Sequence, residues 1–110
     1  MKLRANLTVL AYGCWALMAG AVQAQPTPAG LLEKLKANGC TACHAMDKKS
    51  VGPSFKEVAA RYKNDKGAEA KLAQKIKVGG SGAWGAIPMP PQKLKEEELK
   101  SLATLILQVK

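Results

Sequence analysis

Apolar positions recur at helical spacing along four stretches of the chain, separated by polar or glycine- and proline-rich segments. The first predicted helix runs from Ala29 to about Asn38, where Leu31, Leu32 and Leu35 repeat and Asn38-Gly39 supplies a stop. The second runs from Ser54 to about Lys63. Ser54 and Glu57 stand where a capping box needs them, and Phe55, Val58, Ala59 and Tyr62 share a face. The third covers Gly67 to Val78, with Ala68, Leu72 and Ile76 aligned. The fourth, from about Lys95 to Val109, is the clearest. Glu96, Glu97 and Glu98 crowd its positive end, Lys110 sits at its negative end, and Leu99, Leu102, Leu105, Ile106 and Val109 form its apolar stripe. No stretch alternates with a period of two, so the expected fold is all-α: four short helices and long loops. Two loops stand out. Residues 45–53 are polar and end in Val51-Gly52-Pro53, and residues 79–94 hold four glycines and three prolines. Glycines let backbone approach a ligand closely, and prolines fix an extended chain with little entropy left to lose.

The first 24 residues have a different pattern. Lys2 and Arg4 precede an apolar run from Leu7 to Val22, and Val22-Gln23-Ala24 offers small or moderate side chains for cleavage. This three-part order predicts a secretory signal removed after Ala24, leaving residues 25–110 as one domain with no stable membrane anchor. The apolar length could just support a retained anchor, and a lipid at Cys14 fits less well, because Tyr12 stands where a small residue is needed. Cleavage removes Cys14 and leaves one cysteine pair, in a compartment that favours oxidised thiols. The expected location is the periplasm.

Composition adds a shortage. Only five of the 110 residues are aromatic, and Tyr12 and Trp15 lie in the leader. Residues 25–110 are too few, and too poor in large side chains, to build a generous core from protein alone. Something else should fill the interior.

Cys40-Thr41-Ala42-Cys43-His44 identifies it. C-x-x-C-H is the haem attachment pattern of c-type cytochromes. Two thiols one helical turn apart add to the two vinyl groups on one porphyrin edge, and the next residue aims its imidazole at the iron. The expected cofactor is one covalent haem c with its iron. The competing uses of these residues fit poorly. A disulfide between residues three apart is strained. A redox C-x-x-C expects a βαβ context, and structural zinc needs four ligands where the mature chain has two cysteines and one histidine.

His44 is then the fifth iron ligand. For the sixth, the candidates are Met46, Met89, a lysine or nothing. Met46 is two residues from His44 and cannot reach the other haem face. Met89 lies in Ile87-Pro88-Met89-Pro90-Pro91, where Pro90 biases it toward an extended conformation. A proline-clamped loop is a poor place for a methionine that merely fills a gap, so Met89 is the expected ligand. His/Met ligation closes both axial positions, which favours outer-sphere electron transfer over oxygen or peroxide chemistry.

With both ligand motifs in place, the chain resembles a small bacterial class I cytochrome c of the c-551/c-552 (c8) type over nearly all of residues 25–110. The resemblance rests on Cys40–His44, on Val51-Gly52-Pro53 and on residues 84–91, Trp-Gly-Ala-Ile-Pro-Met-Pro-Pro. It implies the class I cytochrome c fold wrapped around the haem. It also implies that the Pro53 carbonyl accepts from the His44 ring, and that the Trp84 indole N–H binds a haem propionate. Lys75 stands where relatives carry Arg or His beside a propionate, and Gln92 where they place Asn near the methionine sulfur. Phe55, Val58, Leu72 and Ile76 are expected to line the haem pocket.

The function expected is that of a soluble, monomeric, one-electron carrier and not an enzyme. The resemblance implies redox protein partners, such as a nitrite reductase, a terminal oxidase or a bc1-type donor. The formal charge of +9 falls to +7 once Lys2 and Arg4 are removed. Lysines at 48, 49, 63, 75, 77, 93 and 95 fall mostly in or near the loops expected to frame the haem. They would steer docking to an acidic face, or simply keep the protein in solution. Nucleic-acid binding is disfavoured, because the lysines are dispersed, lack interleaved aromatics and face no such target outside the cytoplasm. Two further classes compete: a haem enzyme or gas sensor with a displaceable ligand, and a structural module of a larger complex.

Overall fold

A chain this short of large side chains arranges its helices around the longest one. The computed structural model describes residue 20 and residues 27–110. The signal expected over residues 1–24 therefore lies, apart from Gly20, outside the described residues. Four α-helices and one 3-10 turn follow in order: α1 (Leu31–Ala37), the turn (Cys40–Ala42), α2 (Phe55–Arg61), α3 (Ala68–Val78) and α4 (Glu96–Leu107). No strand forms among the described residues; the only pairing of that type is an isolated antiparallel bridge between Gly80 and Met89.

Each boundary has a local cause. Helix α1 starts two residues later than the periodicity predicts, because Gly30 is left-handed with φ of 76°. Helix α2 begins at a full capping box: the Glu57 N–H donates to Ser54 Oγ at 3.0 Å, and the Ser54 N–H donates to Glu57 Oε2 at 2.8 Å. The Ser54 N–H, aided by the Ser54 side chain, holds the Glu57 carboxyl below the usual carboxylate range. A depressed value stabilises the fold at neutral pH, and the gain is lost as pH falls through it. At α4, Glu98 reaches back to the Lys95 N–H at 3.2 Å, so the acidic first turn also serves as a cap.

Helix α4 packs against α1, α2 and α3, and α1 also packs on the 3-10 turn. Leu31 and Leu35 of α1, Phe55 and Val58 of α2, Leu72, Ala73 and Ile76 of α3, and Leu99, Leu102, Ala103 and Ile106 of α4 form one buried cluster. Leu31, Leu35 and Leu99 are the largest fully buried side chains. Each contributes roughly 1.5–3 kcal/mol by leaving water. Leu32 faces outward, which narrows the α1 stripe to Leu31 and Leu35. Two polar ties brace α3 against α4. Lys77 pairs with Glu96 at 2.5 Å, and Thr104 Oγ1 donates to Glu69 at 2.8 Å.

Candidate haem site

The motif at Cys40 is shaped by the turn it sits in. Gly39 enters it with φ of 70°, and the Cys43 and His44 amides both donate to the Cys40 carbonyl, at 3.2 and 3.0 Å. One tight turn thus brings both thiols and the imidazole together. Both cysteines are free and half-buried, and burial pushes the Cys40 thiol above its ordinary value.

The next segment orients the ring. His44 Nδ1 stands 2.7 Å from the Pro53 carbonyl oxygen. A carbonyl can only accept, so Nδ1 carries the proton, and in the neutral ring Nε2 keeps its lone pair for a metal. Gly52 makes this approach possible: a Cβ there would come within 2.5 Å of His44 Cε1 and 2.9 Å of Nδ1. The Phe55 ring lies 5.2 Å from the imidazole, centroid to centroid, and completes the support.

Met89 is held from the other loop. Its N–H donates to the Gly80 carbonyl at 3.0 Å, and its carbonyl accepts from the Gly80 N–H at 2.9 Å. The segments meet closely because Gly79 has no side chain. A Cβ at Gly79 would overlap the Met89 carbonyl oxygen and lie 2.9 Å from Pro91 N. Gly79 also adopts φ of 64° and ψ of −144°, a conformation closed to other residues.

These segments enclose a cavity of about 310 Å³. Ten of the expected site residues line it: Cys43, His44, Pro53, Phe55, Val58, Leu72, Lys75, Ile76, Trp84 and Met89. Cys40 and Gln92 are not in the lining. Cys40 sits in the adjoining turn, packed against the core cluster. Gln92 donates from its backbone to the Ile76 carbonyl at 3.0 Å, and its side-chain amide reaches the Pro90 carbonyl at 3.4 Å. Lys75 is half-buried, and its Nζ caps the end of α3 at the Gly79 carbonyl, 3.4 Å away.

Three features of the site were not read from the sequence. Gly52 and Gly79 work by close approach to His44 and Met89. Arg61 lies over Trp84, with its guanidinium carbon 4.3 Å from the ring centroid. A helix ending at a glycine hints at Gly79; nothing in the spacing of Arg61 and Trp84 points to their contact.

The lining tests what the cavity can hold. Its walls are mainly apolar, its charged members are the cations Lys49 and Lys75, and no carboxylate is among them. An imidazole with a free Nε2, a thioether and a thiol share that space. The donors suit a metal at the centre of an apolar group, and the cations suit acidic substituents at its edge. The thiols suit covalent attachment. This chemistry fits haem c and places the chain among proteins that carry haem covalently.

Comparison with known proteins makes the assignment narrower. The family model described as Cytochrome c matches residues 33–110. Cytochrome c-551 of Pseudomonas aeruginosa is 44% identical over 110 residues, covering 100% of this chain and 94% of the relative. Cytochrome c-551 of Azotobacter vinelandii is 57% identical over 75 residues, covering 68% and 92%. Wild-type cytochrome c552 of Nitrosomonas europaea superposes with a TM-score of 0.69 at 45% identity, over 72% of this chain and 99% of that one. The chain belongs to the cytochrome c family, in its c-551/c-552 group. It is a monohaem electron carrier with redox protein partners, and not an enzyme.

Proposed function

We propose that the protein is a soluble periplasmic carrier whose haem iron is held by His44 and Met89. The observation that carries this reading is that His44, with its ring oriented by Pro53, and Met89, with its backbone fixed by Gly80, line the same cavity. The bound haem supplies a one-electron couple. Cys40 and Cys43 tether it, and Pro53 holds the His44 tautomer that leaves Nε2 free. Phe55, Val58, Leu72 and Ile76 keep water away and disfavour the added charge of the oxidised form. Trp84 and Lys75 take the haem carboxylates, and Gln92 supports the Met89 segment. The export pattern of residues 1–24 supports the periplasm, and no helix among the described residues is long and apolar enough to cross a membrane.

The visible spectrum tests the ligand pair. The oxidised protein should show the sulfur-to-iron charge-transfer band, and the ferrous form should bind carbon monoxide slowly. A missing band with rapid carbon monoxide binding would favour an enzyme or sensor with a displaceable ligand.

The partners we propose are a nitrite reductase or terminal oxidase as acceptor and a bc1-type complex as donor. Lys49 and Lys75 line the cavity, and Lys48 lies on the same exposed loop as Lys49. This positive rim would draw the protein to an acidic docking face. Transfer rates to such a partner should drop as ionic strength rises; rates flat from low to physiological salt would remove the steering role.

A further inference from the structure

Arg61 is the last residue of α2 and is exposed, yet it makes no ion pair among the described residues. Its guanidinium goes elsewhere. Its carbon sits 4.3 Å from the Trp84 ring centroid, and Nη1 donates to the Ala83 carbonyl at 2.6 Å. One planar cation therefore grips a ring and the backbone just before it. Lysine, a point charge without the flat fork, cannot lay a plane on the ring while donating from its edge.

The gripped segment needs such a hold. Residues 80–88 are all exposed. Gly82 and Gly85 flank Trp84 with φ of 103° and 126°. Inside the loop a single backbone hydrogen bond, from Gly82 N–H to the Gly85 carbonyl at 2.7 Å, opposes the freedom of those glycines. The Gly80–Met89 bridge closes the loop at its base but leaves the indole unanchored. Trp84 is 36% exposed, so packing alone does not fix it either.

We propose that Arg61 is a positioning residue for Trp84. It clamps the indole at the cavity mouth from outside, so that the indole N–H is held for a haem carboxylate within. The inference rests on the proposed role of Trp84 as a carboxylate donor. Arg61 itself acts through the ring and the Ala83 carbonyl.

The test uses the haem-loaded protein with Arg61→Ala, Arg61→Lys and Trp84→Phe. The Trp84→Phe variant assigns the indole N–H resonance. Hydrogen exchange at that N–H should accelerate at least tenfold in Arg61→Ala. Arg61→Lys, which keeps the charge without the fork, should recover only a minor part of the protection. Trp84→Phe should shift the pH dependence of the reduction potential, because a carboxylate that loses its donor is protonated more easily. Arg61→Ala should shift it in the same direction by less. If Trp84→Phe shifts it but Arg61→Ala leaves exchange within a factor of two of the parent, the Arg61 role is overturned alone. If Trp84→Phe leaves it unchanged, the Trp84 role fails and takes that of Arg61 with it.

Discussion

Replacing Cys40 and Cys43 together with alanine should give a secreted chain that is colourless and has lost most of its helix. The cause lies in the size of the core. The residues that line the cavity from the core side, Phe55, Val58, Leu72, Ile76 and Ile106, are the same ones that join the helices to one another. Without its occupant, a cavity of about 310 Å³ remains between them. A void of that size forfeits the contacts its lining side chains would make with an apolar occupant, and a small domain is stable by only roughly 5–15 kcal/mol in all. Either cysteine replaced alone leaves one covalent link, and should give a coloured but less stable product. Absorbance, mass and far-ultraviolet circular dichroism of the secreted protein check both results. A colourless double variant that melted cooperatively with full helix content would show that the fold does not depend on the haem.

Met89→His should lower the reduction potential by a few tenths of a volt, a large part of the ~0.8 V that axial ligands command. A thioether donates little charge to iron and so favours the reduced form, whereas an imidazole stabilises the oxidised form. The backbone at residue 89 is paired to Gly80 in both directions, so the substitution changes the donor and not the position of the segment. Met89→Ala should instead open the site, lose the sulfur-to-iron band and bind carbon monoxide quickly. Redox titration with spectra checks both variants. A potential unmoved by histidine would exclude Met89 as a ligand.

The sequence made the helices legible because burial follows their periodicity. The stripe expected in the second helix contains every buried residue of α2, those expected in the third and fourth contain all but Ala73 of α3 and Ala103 of α4, and the third helix ends at Val78 as expected. Local chemistry was legible for the same reason: Ser54 and Glu57, or Cys40 and His44, act on residues a turn away. What escaped depends on contacts distant along the chain. The Gly80–Met89 bridge joins a glycine run to a proline run, neither with the alternation that marks a strand. Arg61 and Trp84 meet across the entire length of α3. Gly52 reads as part of a short motif, but only its distance from the His44 ring shows why no larger residue fits.

The pairing of Met89 with Gly80, closed by Gly79 and flanked by prolines, bears on speed as well as on place. If Met89 binds the iron as proposed, a segment immobilised by its own main chain has surrendered its freedom once, when the protein folds. Gain and loss of an electron would then call for little nuclear rearrangement, which would keep the barrier to each transfer low and leave the carrier ready again once its partner departs.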